Sequence, residues 1–133
     1  MTILIDSSFY ISFAYWHDSN HQRALALYPK YKTFQKLTTE DFLKETLTTI
    51  SQRLGKKASI ELYELISQDT EVISISPAHF QAGLRLFVDP RRQKNISLID
   101  CIACAVAEDI ATDAILTFNR HFLSLGLTVI PRS

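Results

Sequence analysis

The chain has 133 residues, 47% hydrophobic and 21% charged, with a formal net charge of zero. That length suits one domain over 1–133, able to bury roughly two-thirds of its unfolded surface without metal or disulfide staples. Zero net charge excludes a global field for a polyanion or a membrane, so any such partner must meet a local patch. Two cysteines, Cys101 and Cys104, are too few for a secreted disulfide scaffold. No basic stretch opens the chain, Asp6 interrupts the first apolar run, and no run approaches about 18 apolar residues. A reducing cytoplasm without membrane attachment is the expected setting.

TILID (2–6) is a short apolar run that reads as a strand buried on both faces, followed by a helical stretch, SFYISFAYW. DSNHQ breaks that helix, and HQRALALYPKY reads as a second one stopped at Pro29. An extended piece near FQKLT leads into a helix from about Thr39 to Leu54, with the apolar stripe Leu43, Leu47, Ile50 and Leu54. Gly55 ends it, and KKASIELYELISQ is another amphipathic helix. VISIS (72–76) reads as a strand closed by Pro77, AHFQAGLRLFVD as a helix, and PRRQKN as an exposed basic loop. ISLIDCIACAVAED is an almost wholly apolar helix, AILTF a strand, RHF a short loop and LTVIP the last strand. Strands alternating with helices indicate an α/β domain with a mainly parallel sheet.

Three acids stand out to different degrees. Asp6 is the only Asp, Glu, Lys or Arg in the first sixteen residues and ends a central-looking strand, the edge where open α/β sheets place ligands. A helix N-cap is its bland alternative, although Ser7 and Ser8 could cap equally well. Asp100 is the sole charge in LIDCIACAVA, and a lone buried carboxylate needs a partner or a cation. It also completes the capping box Ser97-Leu-Ile-Asp100, and a helix N-terminus favours the ionised form that a metal requires. Glu45 points away from the leucine stripe on a helical wheel, which by spacing alone is a solvated position.

Other constellations carry less. Cys101-x-x-Cys104 has small apolar neighbours and lacks the aromatic and proline context of a redox pair, so two core thiols are expected. His17 and His21 have the i, i+4 spacing of zinc ligands, but a helix break lies between them and no third ligand is apparent. Arg85, Arg91, Arg92 and Lys94 make the densest basic cluster and the candidate for phosphate contacts.

Taken in order, these blocks resemble a PIN domain, and most closely the short VapC-type ribonucleases of bacterial toxin–antitoxin pairs. Ile-Asp6-Ser-Ser resembles the opening strand and first acid, and Asp18-Ser-Asn-His21-x-x-Ala24 the loop into the second helix. Thr39-Glu-Asp-Phe-Leu-Lys-Glu45 resembles the block of the second acid, and Ser97-Leu-Ile-Asp100 that of the third. Leu116-Thr-Phe-Asn119-Arg-His-Phe122 resembles the fourth block, and Val129-Ile-Pro131 the closing strand.

The resemblance implies a three-layer domain with a mainly parallel five-stranded sheet in the order 3-2-1-4-5. It implies an acidic pocket of Asp6, Glu45, Asp100 and Asn119 that holds Mg²⁺ or Mn²⁺ and cleaves RNA, and it raises Glu45 from a solvated residue to a site residue. A cognate antitoxin and a homodimer are the partners it suggests. Asn119 occupies the place where the family usually has an aspartate; its amide oxygen could still ligate or position a metal-bound water. On this reading Arg91, Arg92 and Thr117 meet the RNA. A weakened domain that binds RNA or a partner without efficient cleavage is the alternative. A phosphoacceptor signalling domain would need paired acids after the first strand and an aspartate after the third, where this chain has Ser76-Pro77.

Overall fold

The computed structural model describes residues 1–92 and 94–132; Gln93, within the basic loop expected over 90–95, and Ser133 lie outside the described residues. Strand β1 (Thr2–Ile5) is followed by helices α1 (Ser7–Ala14) and α2 (His21–Leu27) and a 3₁₀ turn over Tyr28–Tyr31. Next come β2 (Gln35–Thr39), α3 (Glu40–Leu54), α4 (Lys56–Asp69) and β3 (Thr70–Ile73). Helices α5 (Pro77–Phe87) and α6 (Leu98–Ile110) precede β4 (Ala114–Leu116), a 3₁₀ helix over Arg120–Leu125 and β5 (Val129–Ile130).

The five strands form one parallel sheet in the order β3-β2-β1-β4-β5, as the resemblance implied. Its β1 alternates between two cores. Ile3 and Ile5 join Phe9, Tyr10, Ile50 and Leu62 on the face of α1–α4, while Leu4 joins Phe42, Cys104, Ile115 and Phe122 on the face of α6. Burial on both faces is why TILI is a continuous apolar run. The chain builds outward from β1 on one side and returns to its other side with β4. The gap at the C-terminal ends of β1 and β4 is therefore the topological switch point, where open α/β sheets bind ligands.

Local chemistry sets most boundaries. Thr39 caps α3 by accepting the Phe42 N–H at 3.1 Å, and Gly55, at φ +96°, lets the chain turn directly from α3 into α4. The third strand lies at Thr70–Ile73, shifted from the expected 72–76. Its partner β2 ends at Thr39, opposite Ile73, so residues beyond have no ladder to join. Ser76 instead forms a reciprocal capping box with His79, and Pro77 starts α5. The expected RHF loop is a 3₁₀ helix capped by Asn119. At the other end of the sheet, buried Lys36 pairs with Asp69 at 3.3 Å, which keeps that cation away from the acids.

Candidate active site

Asp6, Glu45 and Asp100 come from three separate elements. Asp6 follows β1 and is 3% exposed, and Asp100 lies in the first turn of α6 at 9%. Glu45 lies on α3, where the buried residues are Phe42, Thr46 and Ile50 rather than the leucines alone. That turns the buried face towards Phe42, about 60° of helix rotation from Glu45. Glu45 therefore stands on the flank of α3, exposed, with its Oε1 in hydrogen-bond contact with the Ser7 hydroxyl. It is at once open to solvent, as its spacing suggested, and in contact with the residue next to Asp6.

Asp6 occupies the N-cap position of α1, yet its side chain makes no capping bond. The carboxylate is instead surrounded by hydroxyls. Ser8 Oγ donates to Oδ2 at 2.7 Å and Thr117 Oγ1 to the same oxygen at 2.6 Å, while Ser7 Oγ lies 3.2 Å from Oδ1. Burial pushes the Asp6 carboxyl up, and the hydroxyls from Thr117, Ser8 and Ser7 oppose the shift. Asp100 is pushed up to about 6, first by burial, then by the charges of Asp6 and Glu45, against the Ser97 hydrogen bonds. Its capping box is present: Ser97 Oγ accepts the Asp100 N–H at 3.0 Å, and Asp100 Oδ2 accepts the Ser97 N–H at 3.5 Å. The structural and electrostatic roles of Asp100 coexist.

The three acids have no counter-charge: among the described residues, no Lys, Arg or His forms an ion pair with any of them. Buried carboxylates without a cationic partner favour a cation. No three His, Cys, Asp or Glu side chains among the described residues yet form a closed metal cage, so a cation would have to draw these acids inward. Oxygen donors of this kind suit Mg²⁺ or Mn²⁺.

Asn119 follows Thr117 after β4. Its N–H donates to Thr117 Oγ1 at 2.8 Å, and its Oδ1 accepts the His121 N–H at 3.0 Å. One lone pair of that amide oxygen is thus spent on the 3₁₀ helix, and one remains. Thr117 is fully buried with its hydroxyl committed to Asp6, so it supports that carboxylate from beneath instead of facing solvent where RNA would lie. Arg91 is exposed but chelated by Asp89 at 2.9 and 3.0 Å, and holds that carboxyl down at about 2. Arg92 Nη1 donates to the Ser124 carbonyl at 3.2 Å, which ties the basic loop to the 3₁₀ helix after Asn119.

The lesser candidates stay apart. Cys101 and Cys104 are buried thiols, and Cys104 donates to the Leu125 carbonyl. His21 Nδ1 bonds the Ser12 carbonyl at 2.8 Å, while the His17 ring lies 3.6 Å from that of Trp16. Ser7 and Ser8 are the residues that sequence reasoning passed over. The available signal is a pair of hydroxyls directly after a strand-end acid, which reads equally well as helix capping.

A family model described as the PIN domain matches residues 3–126. No curated protein matches the chain. Among solved structures, the chain is similar to Mycobacterium tuberculosis VapC20, described as a sarcin-ricin loop cleaving toxin. The TM-score is 0.85 at 20% identity, covering 95% of this chain and 96% of the other. It is also similar to a chain of VapBC2 from Rickettsia felis bound to a promoter DNA fragment, with a TM-score of 0.71 at 16% identity and 97% of each chain covered. A toxin–antitoxin complex from Klebsiella pneumoniae gives 0.63 at 18% identity, covering 97% of this chain and 92% of that one. These likenesses concern the fold; with the family match over residues 3–126, the chain belongs to the PIN domain family.

Proposed function

We propose that the protein is a Mg²⁺- or Mn²⁺-dependent endoribonuclease, the toxin of a type II toxin–antitoxin pair, acting in the cytoplasm as a homodimer restrained by a cognate antitoxin. The observation that supports the chemistry is that Asp6 and Glu45 meet through Ser7 at the sheet's switch point, with Asp100 near enough for their charges to raise its carboxyl. None of the three has an ion-pair partner among the described residues. The toxin setting rests on the family and on the toxins among the similar folds.

Asp6 and Asp100 would be the principal ligands, with Glu45 and the free lone pair of Asn119 Oδ1 completing the donor set. A divalent cation there supplies Lewis-acid charge relief to a phosphodiester and lowers the pKa of a water. Glu45, the most exposed of the three acids, orients the attacking water and takes its proton. Thr117 and Ser8 hold Asp6 in one orientation. Arg92, which donates to the Ser124 carbonyl, and Arg91, once released from Asp89, are the residues that would meet the RNA backbone. In the test, purified protein cleaves RNA with Mg²⁺ or Mn²⁺ and stops in excess EDTA. Full cleavage in the chelator would remove the metal, and no cleavage with either metal would leave a domain that only binds.

Asn119 favours that second reading, since an amide replaces a fourth carboxylate and half of its acceptor capacity is already taken. Asn119→Asp keeps the cap on the His121 N–H, because aspartate caps as well as asparagine. It is expected to tighten Mn²⁺ binding, to lower the melting temperature in EDTA through added repulsion, and to raise it in Mg²⁺. Metal titrations and paired melts read all three. Unchanged affinity with parallel melting shifts would place Asn119 outside the donor set.

A further inference from the structure

We propose that Ser7 is a positioning residue of this centre, its hydroxyl linking Glu45 to Asp6; this rests on the nuclease reading above. Asp6 Oδ2 accepts from both Ser8 and Thr117, which fills it. Those hydroxyls are themselves oriented from behind: Ser8 Oγ accepts the Phe118 N–H at 3.1 Å, and Thr117 Oγ1 accepts the Asn119 N–H at 2.8 Å. Both hydroxyls reach Asp6 Oδ2, and the two also lie 3.1 Å from one another.

Ser7 differs. Its Oγ lies between two carboxylates, Asp6 Oδ1 and Glu45 Oε1, and carries one hydrogen for both. That hydroxyl links the two acids: it is in contact with Glu45 Oε1 and lies 3.2 Å from Asp6 Oδ1. The Ser7 hydroxyl is also the sole hydrogen-bond partner of the Glu45 side chain among the described residues. A long, exposed carboxylate on α3 is thus tethered through Ser7 to Asp6, 39 positions earlier in the chain. Without the tether, Glu45 samples solvent rotamers and the donor set loses its preorganisation.

The test uses the intact chain with Ser7→Ala and Ser7→Thr. Mn²⁺ affinity is measured without RNA, melting temperature in EDTA, and kcat and KM on RNA at saturating Mn²⁺. Ser7→Ala is expected to fold, to bind Mn²⁺ about 10–100-fold more weakly and to lose kcat by a similar factor with little change in KM. Ser7→Thr, which retains the hydroxyl, restores both. Adding Ser7→Ala to Glu45→Gln should cost no further Mn²⁺ affinity, because Ser7 acts through Glu45. Wild-type Mn²⁺ affinity in a folded Ser7→Ala protein, failure of threonine to rescue, or fully additive losses would each overturn the assignment. A wild-type protein that binds no Mn²⁺ sinks the nuclease reading itself, and the role of Ser7 with it, a result distinct from the other three.

Discussion

Asp100→Asn is expected to abolish metal-dependent RNA cleavage while leaving the protein folded. Removing a ligand charge forfeits several kcal/mol of transition-state stabilisation. At about 1.4 kcal/mol per tenfold, that is at least a hundredfold in rate. The structural role of Asp100 is the part that asparagine keeps: its side-chain oxygen still accepts from the Ser97 N–H, while Ser97 Oγ still accepts the N–H of residue 100. Stability should move the other way from activity. The folded protein raises Asp100 from 3.8 to about 6, so between those values it binds more protons than the unfolded chain. The metal-free wild type therefore loses stability as pH rises through that window and carries the full penalty above it. The asparagine variant, uncharged at every pH, carries none. In EDTA the variant should melt higher than wild type at pH 7, with the gap closing towards pH 4. A variant that melts lower at pH 7 yet cleaves RNA at wild-type rate would reduce Asp100 to its capping box.

Gly83→Ala tests the opposite dependence, a residue remote from the chemistry on which the site's geometry rests. A Cβ on Gly83 would stand 2.5 Å from Ile102 Cγ1, 2.6 Å from its Cα and 2.8 Å from its N. Rotation of the isoleucine can relieve only the first of these contacts; the other two are with backbone, so α5 and α6 must part. Overpacking of this kind costs about 1–3 kcal/mol and sometimes more. Alanine's better helix propensity returns up to about 1 kcal/mol. Contacts this short with backbone put the cost at the top of the range, so a net loss of roughly 2 kcal/mol is expected, a fall of several degrees in melting temperature. Ile102 is two residues from Asp100 on the same helix. Displacing α6 therefore also moves the carboxylate, and a shift of about 1 Å can cost a hundredfold in rate. Thermal melts with kinetics below the transition read both effects. An unchanged melting temperature would mean that the helices separate without cost.

These two residues also mark where the sequence runs out. Asp100 was legible because its signals are local: a lone charge in an apolar helix, three residues after a serine. The same holds for the Thr39 cap region, the Gly55 break and the buried run TILI, since caps and periodicity act within a few residues. Block order carried the sheet topology through the resemblance. The close approach at Gly83 had no such signal, because nothing around that glycine names Ile102. Nor did the stripe Leu43, Leu47, Ile50, Leu54 reveal that Phe42 and Thr46 face the core and leave Glu45 on the flank. VISIS alternates like a strand, yet β2 decides how much of it is paired. Asp89, by holding Arg91, altered the meaning of the basic loop.

Composition and spacing by themselves determined an α/β chain with unexplained acids at the ends of its elements. Which side chains meet was decided by the placement of β1 between β2 and β4. That order brings Thr117 to Asp6 across 111 positions and Ser7 to Glu45 across 38. Such contacts are set by strand register and helix rotation, which depend on packing the whole core. A hydroxyl's single hydrogen then finds its acceptor only after that packing is complete.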